Sequence, residues 1–292
     1  MTTDVIDRHP TVGQATPAAR GWRAALIGLV ALEVLVLFAP TMVFLWERWT
    51  MSVWQNAHGM FVPLLAGWLA WQGLRRSSHV PAAASSWGFA FLLPALLLHA
   101  LDAGIHTQLL SAFALFLALP GFALLLLGSA KTRLIAFPLA FLAFALPIPL
   151  GFTEPLHLLL REIAATATAA VLPLVGVSVF REGTTLHTTA GLVGISDACS
   201  GFSTLYASVT FAALLSYLAS SWRARILVLT AAPVVAITAN LLRVIVLTLM
   251  VAWGHAWLLD TFVHPLSGML TFALALPVLL WLSERKGQVP QP

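Results

Sequence analysis

Residues 109–127 read LLSAFALFLALPGFALLLL, 19 positions without one charged side chain. A helix needs roughly 20 predominantly apolar residues to cross a bilayer. The chain around this run is built the same way. Of its 292 residues 60% are hydrophobic and 9% charged, against about 25% charged in ordinary soluble domains. That excludes a water-soluble protein. A transmembrane β-barrel needs alternating apolar and polar residues, and these runs are continuous. The fold class expected is all-α, a polytopic membrane protein with about eight transmembrane helices.

Before the central run lie spans at about 22–44, 60–74 and 87–101. Trp46 and Trp49 follow the first as an interfacial belt. After the central run come spans at 134–150, 200–219, 226–253 and 265–282. The fifth ends in Pro147-Ile148-Pro149, which cannot continue a helix. Residues 177–197 hold four threonines and three glycines and read as a short β-like loop. Residues 1–21 lack a signal-peptide pattern and are expected to be a disordered cytoplasmic tail. Residues 22–282 form one integral membrane domain, and 283–292 a second cytoplasmic tail. There is no internal repeat and no appended soluble domain.

The formal charge of +4 reports topology and does not point to nucleic acid. Basic residues gather in the N-terminal tail, at Arg75/Arg76, Lys131/Arg133, Arg223/Arg225 and Arg285/Lys286. The positive-inside rule puts all five groups in the cytoplasm. Counting crossings then leaves Leu150 and Asp197 both outside. Residues 154–177 must cross an even number of times, so a re-entrant or surface-lying helix is expected there.

The same count places three residues of catalytic type at the outer face. Cys199, the only cysteine, opens an inward span. Arg243 is 17 residues along the outward span from Ile226, or about 26 Å at the helical rise. His264 opens the last span. A helix N-terminus presents unpaired N–H groups and a positive partial charge. That lowers a thiol pKa, and it offers the N–H groups of Ser200 and Gly201 to an oxyanion. His264 precedes Pro265 at a helix start, where a neutral imidazole can take a proton. Arg243 is costly in a membrane and functional by default. It can bind an oxyanion or a carboxylate two-pronged. Asn240 lies one turn earlier on its face. Asp197 caps the helix or orients His264; capping is the simpler expectation.

Taken singly, each residue has a plain explanation: a packed thiol, an interfacial histidine, a snorkelling arginine. Their joint position favours a thiol active site. The other histidines are scattered without ligand spacing, and no phosphate loop is present. No metal or cofactor is expected.

At these residues the chain resembles the exosortase/archaeosortase family. The resemblance rests on Ala198-Cys199-Ser200-Gly201, on Asn240-Leu241-Leu242-Arg243, and on His264 with Gly268. It extends to Pro147-Ile148-Pro149 and to His58-Gly59-Met60-Phe61-Val62-Pro63, and so covers about 40–282. It implies a membrane-embedded cysteine protease or transpeptidase in the cell inner membrane. Cys199 would be its nucleophile, Arg243 its transition-state or carboxylate partner, and His264 its base and acid. The partners implied are exported proteins ending in a Pro-Glu-Pro-like motif, a transmembrane helix and a basic tail. The acyl acceptor would be water or an amine, and lipid surrounds the site. Some members carry a further domain linked to exopolysaccharide production, and this chain stops soon after Leu282. Ser203-Thr204 stands where a basic residue is common in relatives. Two other classes stay open: a polytopic transporter, which would hold its polar residues near the midplane, and a lipid- or acyl-transfer enzyme with a different use for the cysteine.

Overall fold

The computed structural model describes residues 17–51, 56–261 and 263–284. Helix α1 (Pro17–Leu37) and α2 (Ala39–Thr50) meet at a 58° bend. Then come α3 (Phe61–Arg76), α4 (Phe89–Ile105), α5 (Leu109–Leu134) and α6 (Ala136–Phe141), which tightens into a 3₁₀ turn, Leu142–Ala145. α7 (Leu150–Val171) leads to three strands, β1 (Val179–Glu182), β2 (Thr185–Thr188) and β3 (Gly191–Gly194). α8 (Phe202–Leu218), α9 (Trp222–Ala252) and α10 (Val263–Glu284) follow. α1 opens at Pro17, inside the stretch expected as tail, because proline suits the first helical position. Residues 1–16 and 285–292 of the two expected tails lie outside the described residues.

The chain is a polytopic helical membrane protein. Among the described residues, five helices are long and apolar enough to cross a membrane, or six if the bent α1–α2 pair is one span. α8 and the α6 segment are shorter. α7 covers most of the 154–177 segment, where a re-entrant or surface helix is expected. It is one unbroken helix, and Gly151–Val175 has the length and apolar content of a span. The small residues in its middle are a packing surface: Ala164, Ala165 and Thr168 are buried. In membranes such residues mark close helix contacts, here with α9.

The β-like loop is a three-stranded antiparallel sheet in the order β1-β2-β3. Glu182 pairs with Thr185 and Thr188 with Gly191, so both turns are two residues long. Its inner face, Leu186 and Val193, packs on Val244, Leu247 and Val251 of α9 and on Ala164 and Ala165 of α7. Cys199 belongs to this same core.

The basic pairs gather at the opposite end of the bundle. Arg223 and Arg225 open α9, and Arg225 Nε donates to the Ala219 carbonyl at 3.1 Å. Phe137, just after Lys131 and Arg133, stacks on Tyr217 at 3.9 Å between ring centroids. Gly73, just before Arg75 and Arg76, lies against the Leu134 carbonyl. α8 separates this end from Cys199 by 17 residues, about 25 Å.

The chain extends from Leu146 to Pro149 between α6 and α7 because neither proline can donate to a helix. Carbonyls left open in an apolar interior are costly, and side chains from elsewhere fill them. Trp49 Nε1 donates to the Ala145 carbonyl at 2.8 Å, and Tyr206 Oη donates to the Leu146 carbonyl at 3.2 Å. Trp49 is therefore turned inward and half-buried, whereas Trp46 is exposed. His58 packs edge-on against Tyr206 at 4.4 Å. The His58-Gly59 and Pro-Ile-Pro segments, distant in sequence, meet beside the start of α8.

Candidate active site

The cysteine turn is built from local geometry. Ser196 is extended, and a 3₁₀ turn runs Asp197–Cys199. The Cys199 N–H donates to the Ser196 carbonyl at 2.9 Å, and the Ser200 N–H to the Asp197 carbonyl at 3.2 Å. The oxyanion role expected of the Ser200 N–H therefore meets a competing bond inside the turn. Gly201 is the N-cap of α8, with φ +86°. Cys199 thus lies two residues ahead of that cap and not in the helix's first turn.

This changes the thiol's electrostatics. Cys199 is 6% exposed, and burial pushes its pKa above the ordinary thiol value, with Arg243 and a hydrogen bond to Ser196 pulling the other way. The lowered pKa expected from a helix start is not what the site gives. Desolvation of the charged form outweighs the nearby positive charge.

α9 supplies the next two residues. Asn240 Nδ2 donates to the Cys199 carbonyl at 3.1 Å. Among the described residues, its buried Oδ1 has no hydrogen-bond partner. Arg243 is 9% exposed and its Nε donates to Ser267 Oγ of α10 at 2.8 Å. α9 runs on nine residues past Arg243, to Ala252 beneath the sheet. Arg243 therefore sits inside the bundle and does not snorkel to the surface.

α10 brings its first turns to the same place. A Cβ added at Gly268 would lie 3.6 Å from the Arg243 guanidinium. His264 precedes Ser267 by three residues and Gly268 by four, so all three positions share one helix face. The His264 side chain lies outside the described residues.

Asp197 pairs with Arg161 of α7, Nη1 to Oδ1 3.2 Å. Ser196 and Gly201 hold the two N-cap positions here, so the capping expected of Asp197 gives way to an ion pair. Ser200 is buried, and its Oγ lies 2.9 Å from His157 Nδ1. His157, Arg161 and Ser267 were not singled out by the sequence, where no local pattern marks them. A small pocket between α7 and α9 is lined by Leu160, Ile163, Ile237 and Leu241 and reaches Ser200 and Gly201. Among the described residues no three of His, Cys, Asp and Glu gather in a set that could hold a metal ion.

The family model described as transmembrane exosortase matches residues 46–281. The chain belongs to the transmembrane exosortase family. No curated protein and no solved structure matches it. The matched region of this exosortase takes in the cysteine turn, Asn240, Arg243 and the first turns of α10.

Within the site, Gly201 has no room for a side chain. Its φ of +86° disfavours any side chain, and an added Cβ would stand 2.5 Å from Asn240 Cγ and 2.8 Å from Asn240 Cβ. Rotating the Asn240 side chain cannot move its own Cβ. Gly201→Ala is expected to lower the thermal unfolding midpoint in detergent. The left-handed backbone alone costs about 1–2 kcal/mol, and the clash displaces Asn240 from the Cys199 carbonyl. An unchanged midpoint would mean the turn is not held as described.

Proposed function

We propose that this exosortase is a cysteine protease or transpeptidase acting on the C-terminal sorting signals of exported proteins. The observation that carries this reading is the burial of Arg243 beside the Cys199 turn, fixed by Ser267 on the helix face that also bears His264. A buried arginine next to a lone buried cysteine has no structural need that an apolar pair would not meet better.

The chemistry follows from the residue types. Cys199 Sγ attacks the scissile carbonyl carbon as its proton passes to His264, the usual way a thiol is activated. Negative charge builds on the carbonyl oxygen, which the Arg243 guanidinium stabilises. The C–N bond breaks, His264 returns the proton to the leaving amine, and a thioester on Cys199 remains. Water or an amine then attacks the thioester and releases the thiol.

The site is proposed to face the extracytoplasmic side of the cell inner membrane, with both termini cytoplasmic. The three basic pairs at the far end of the bundle support this by the positive-inside rule. A phosphatase reporter inserted at the Gly183 turn is expected to be active, as an exported enzyme is; an inactive, cytoplasmic reporter would reverse the orientation.

The activity is tested with a reporter protein ending in Pro-Glu-Pro, an apolar helix and a basic tail. Co-expression is expected to yield a shortened reporter whose mass locates one cleaved bond. An intact reporter, with this exosortase present in the membrane, would count against that substrate class.

A further inference from the structure

α7 meets the cysteine turn through two polar side chains four residues apart, His157 and Arg161, which share a helix face. Arg161 grips Asp197 and His157 grips Ser200, the residues that bracket Ala198-Cys199. The two grips differ in weight. The Asp197 side chain is 67% exposed, and exposed ion pairs contribute little. His157 and Ser200 are 7% and 1% exposed, so their bond cannot be replaced readily by water, and a buried polar group left unmatched is costly.

The protons fix the direction of that bond. Ser200 Oγ lies 2.7 Å from the Asp197 carbonyl oxygen, which has no proton to give, so the hydroxyl proton is spent there. The Phe202 N–H approaches the same Oγ at 3.3 Å. The serine oxygen is then an acceptor toward His157, and the ring donates from Nδ1. The ring itself rests against Phe202, at 4.6 Å between centroids.

We propose that His157 is a positioning residue of the thiol site: its Nδ1–H, through Ser200, locks the turn that aims Cys199, while Asn240 holds the same turn from α9. The role presupposes the thiol chemistry proposed above, but the lock itself can be read without it.

The test compares His157→Ala, His157→Asn and His157→Gln in the whole protein, at matched membrane levels. Two readouts are taken, cleavage of the Pro-Glu-Pro reporter and the rate at which N-ethylmaleimide alkylates Cys199. The asparagine amide nitrogen sits near the place of Nδ1; that of glutamine reaches the place of Nε2. His157→Ala is expected to cut cleavage by about 10²-fold, the scale of a misplaced reacting group, and to speed alkylation as the turn loosens. Asparagine should restore both toward wild type, and glutamine should not. Wild-type cleavage and alkylation in the alanine variant overturn the role. So does an asparagine variant no better than glutamine, which also decides the matter if the alanine variant is poorly made. If Cys199→Ala still cleaves the reporter, the proteolytic reading fails, and the alkylation rates alone decide the lock.

Discussion

Cys199→Ala is expected to abolish cleavage of the reporter while the protein is made at its normal level. The thiol is the only cysteine sulfur in the chain, and no other side chain of the site offers a comparable nucleophile. Cys199→Ser should be nearly as poor. A hydroxyl is far less acidic than a thiol and is a weak nucleophile unless a base takes its proton. The buried environment that raises the thiol pKa would disfavour an alkoxide further. A raised pKa means that Cys199 is protonated at neutral pH and ionises only above the ordinary thiol range. Its alkylation rate in the free enzyme should therefore climb steadily with pH beyond neutrality. A rate already flat at pH 7 would indicate a standing thiolate and contradict the burial argument. Cleavage by the alanine variant, with expression checked by immunoblot, would end the enzymatic reading of this site.

Arg243→Lys should fail almost as badly as Arg243→Ala, with losses of about 10²–10³-fold, the scale of removing one oxyanion donor. The wild-type guanidinium holds Ser267 Oγ through Nε, which fixes the plane of the fork. Lysine keeps the charge, but it has one nitrogen and cannot hold Ser267 and address a substrate oxygen in the same geometry. If Arg243 served only to carry charge toward the surface, lysine would behave like wild type. That result would remove Arg243 from the chemistry. Ser267→Ala should sit between, because it frees the fork without removing it.

Much of this protein was legible in the linear sequence because the deciding signals are local. Long apolar runs and paired basic residues gave the membrane class and most of the apolar helices without any contact information; the span expected at 134–150 is a six-residue helix followed by a 3₁₀ turn. The turn-rich 177–197 stretch announced strands, and Asn240 and Arg243 stood out as polar residues inside a long apolar run. The tertiary structure decided what depends on distant partners. The crossing count makes 154–177 a re-entrant or surface helix; what its small residues are for shows only in the fold, where Ala164 and Ala165 pack against α9. Position alone makes Trp49 an interfacial belt residue; the fold adds its bond to the Ala145 carbonyl, which the following prolines leave open. Cys199 was read as sitting at a helix start; Gly201 takes that position, and burial then sets the thiol's acidity. His157 and Arg161 carry no signature in the chain, since Ser200 is 43 residues from His157. Periodicity and charge fix which residues enter the membrane. Which polar groups meet there is fixed by packing, because each one left unpaired in a dry interior must find a partner wherever the fold brings it.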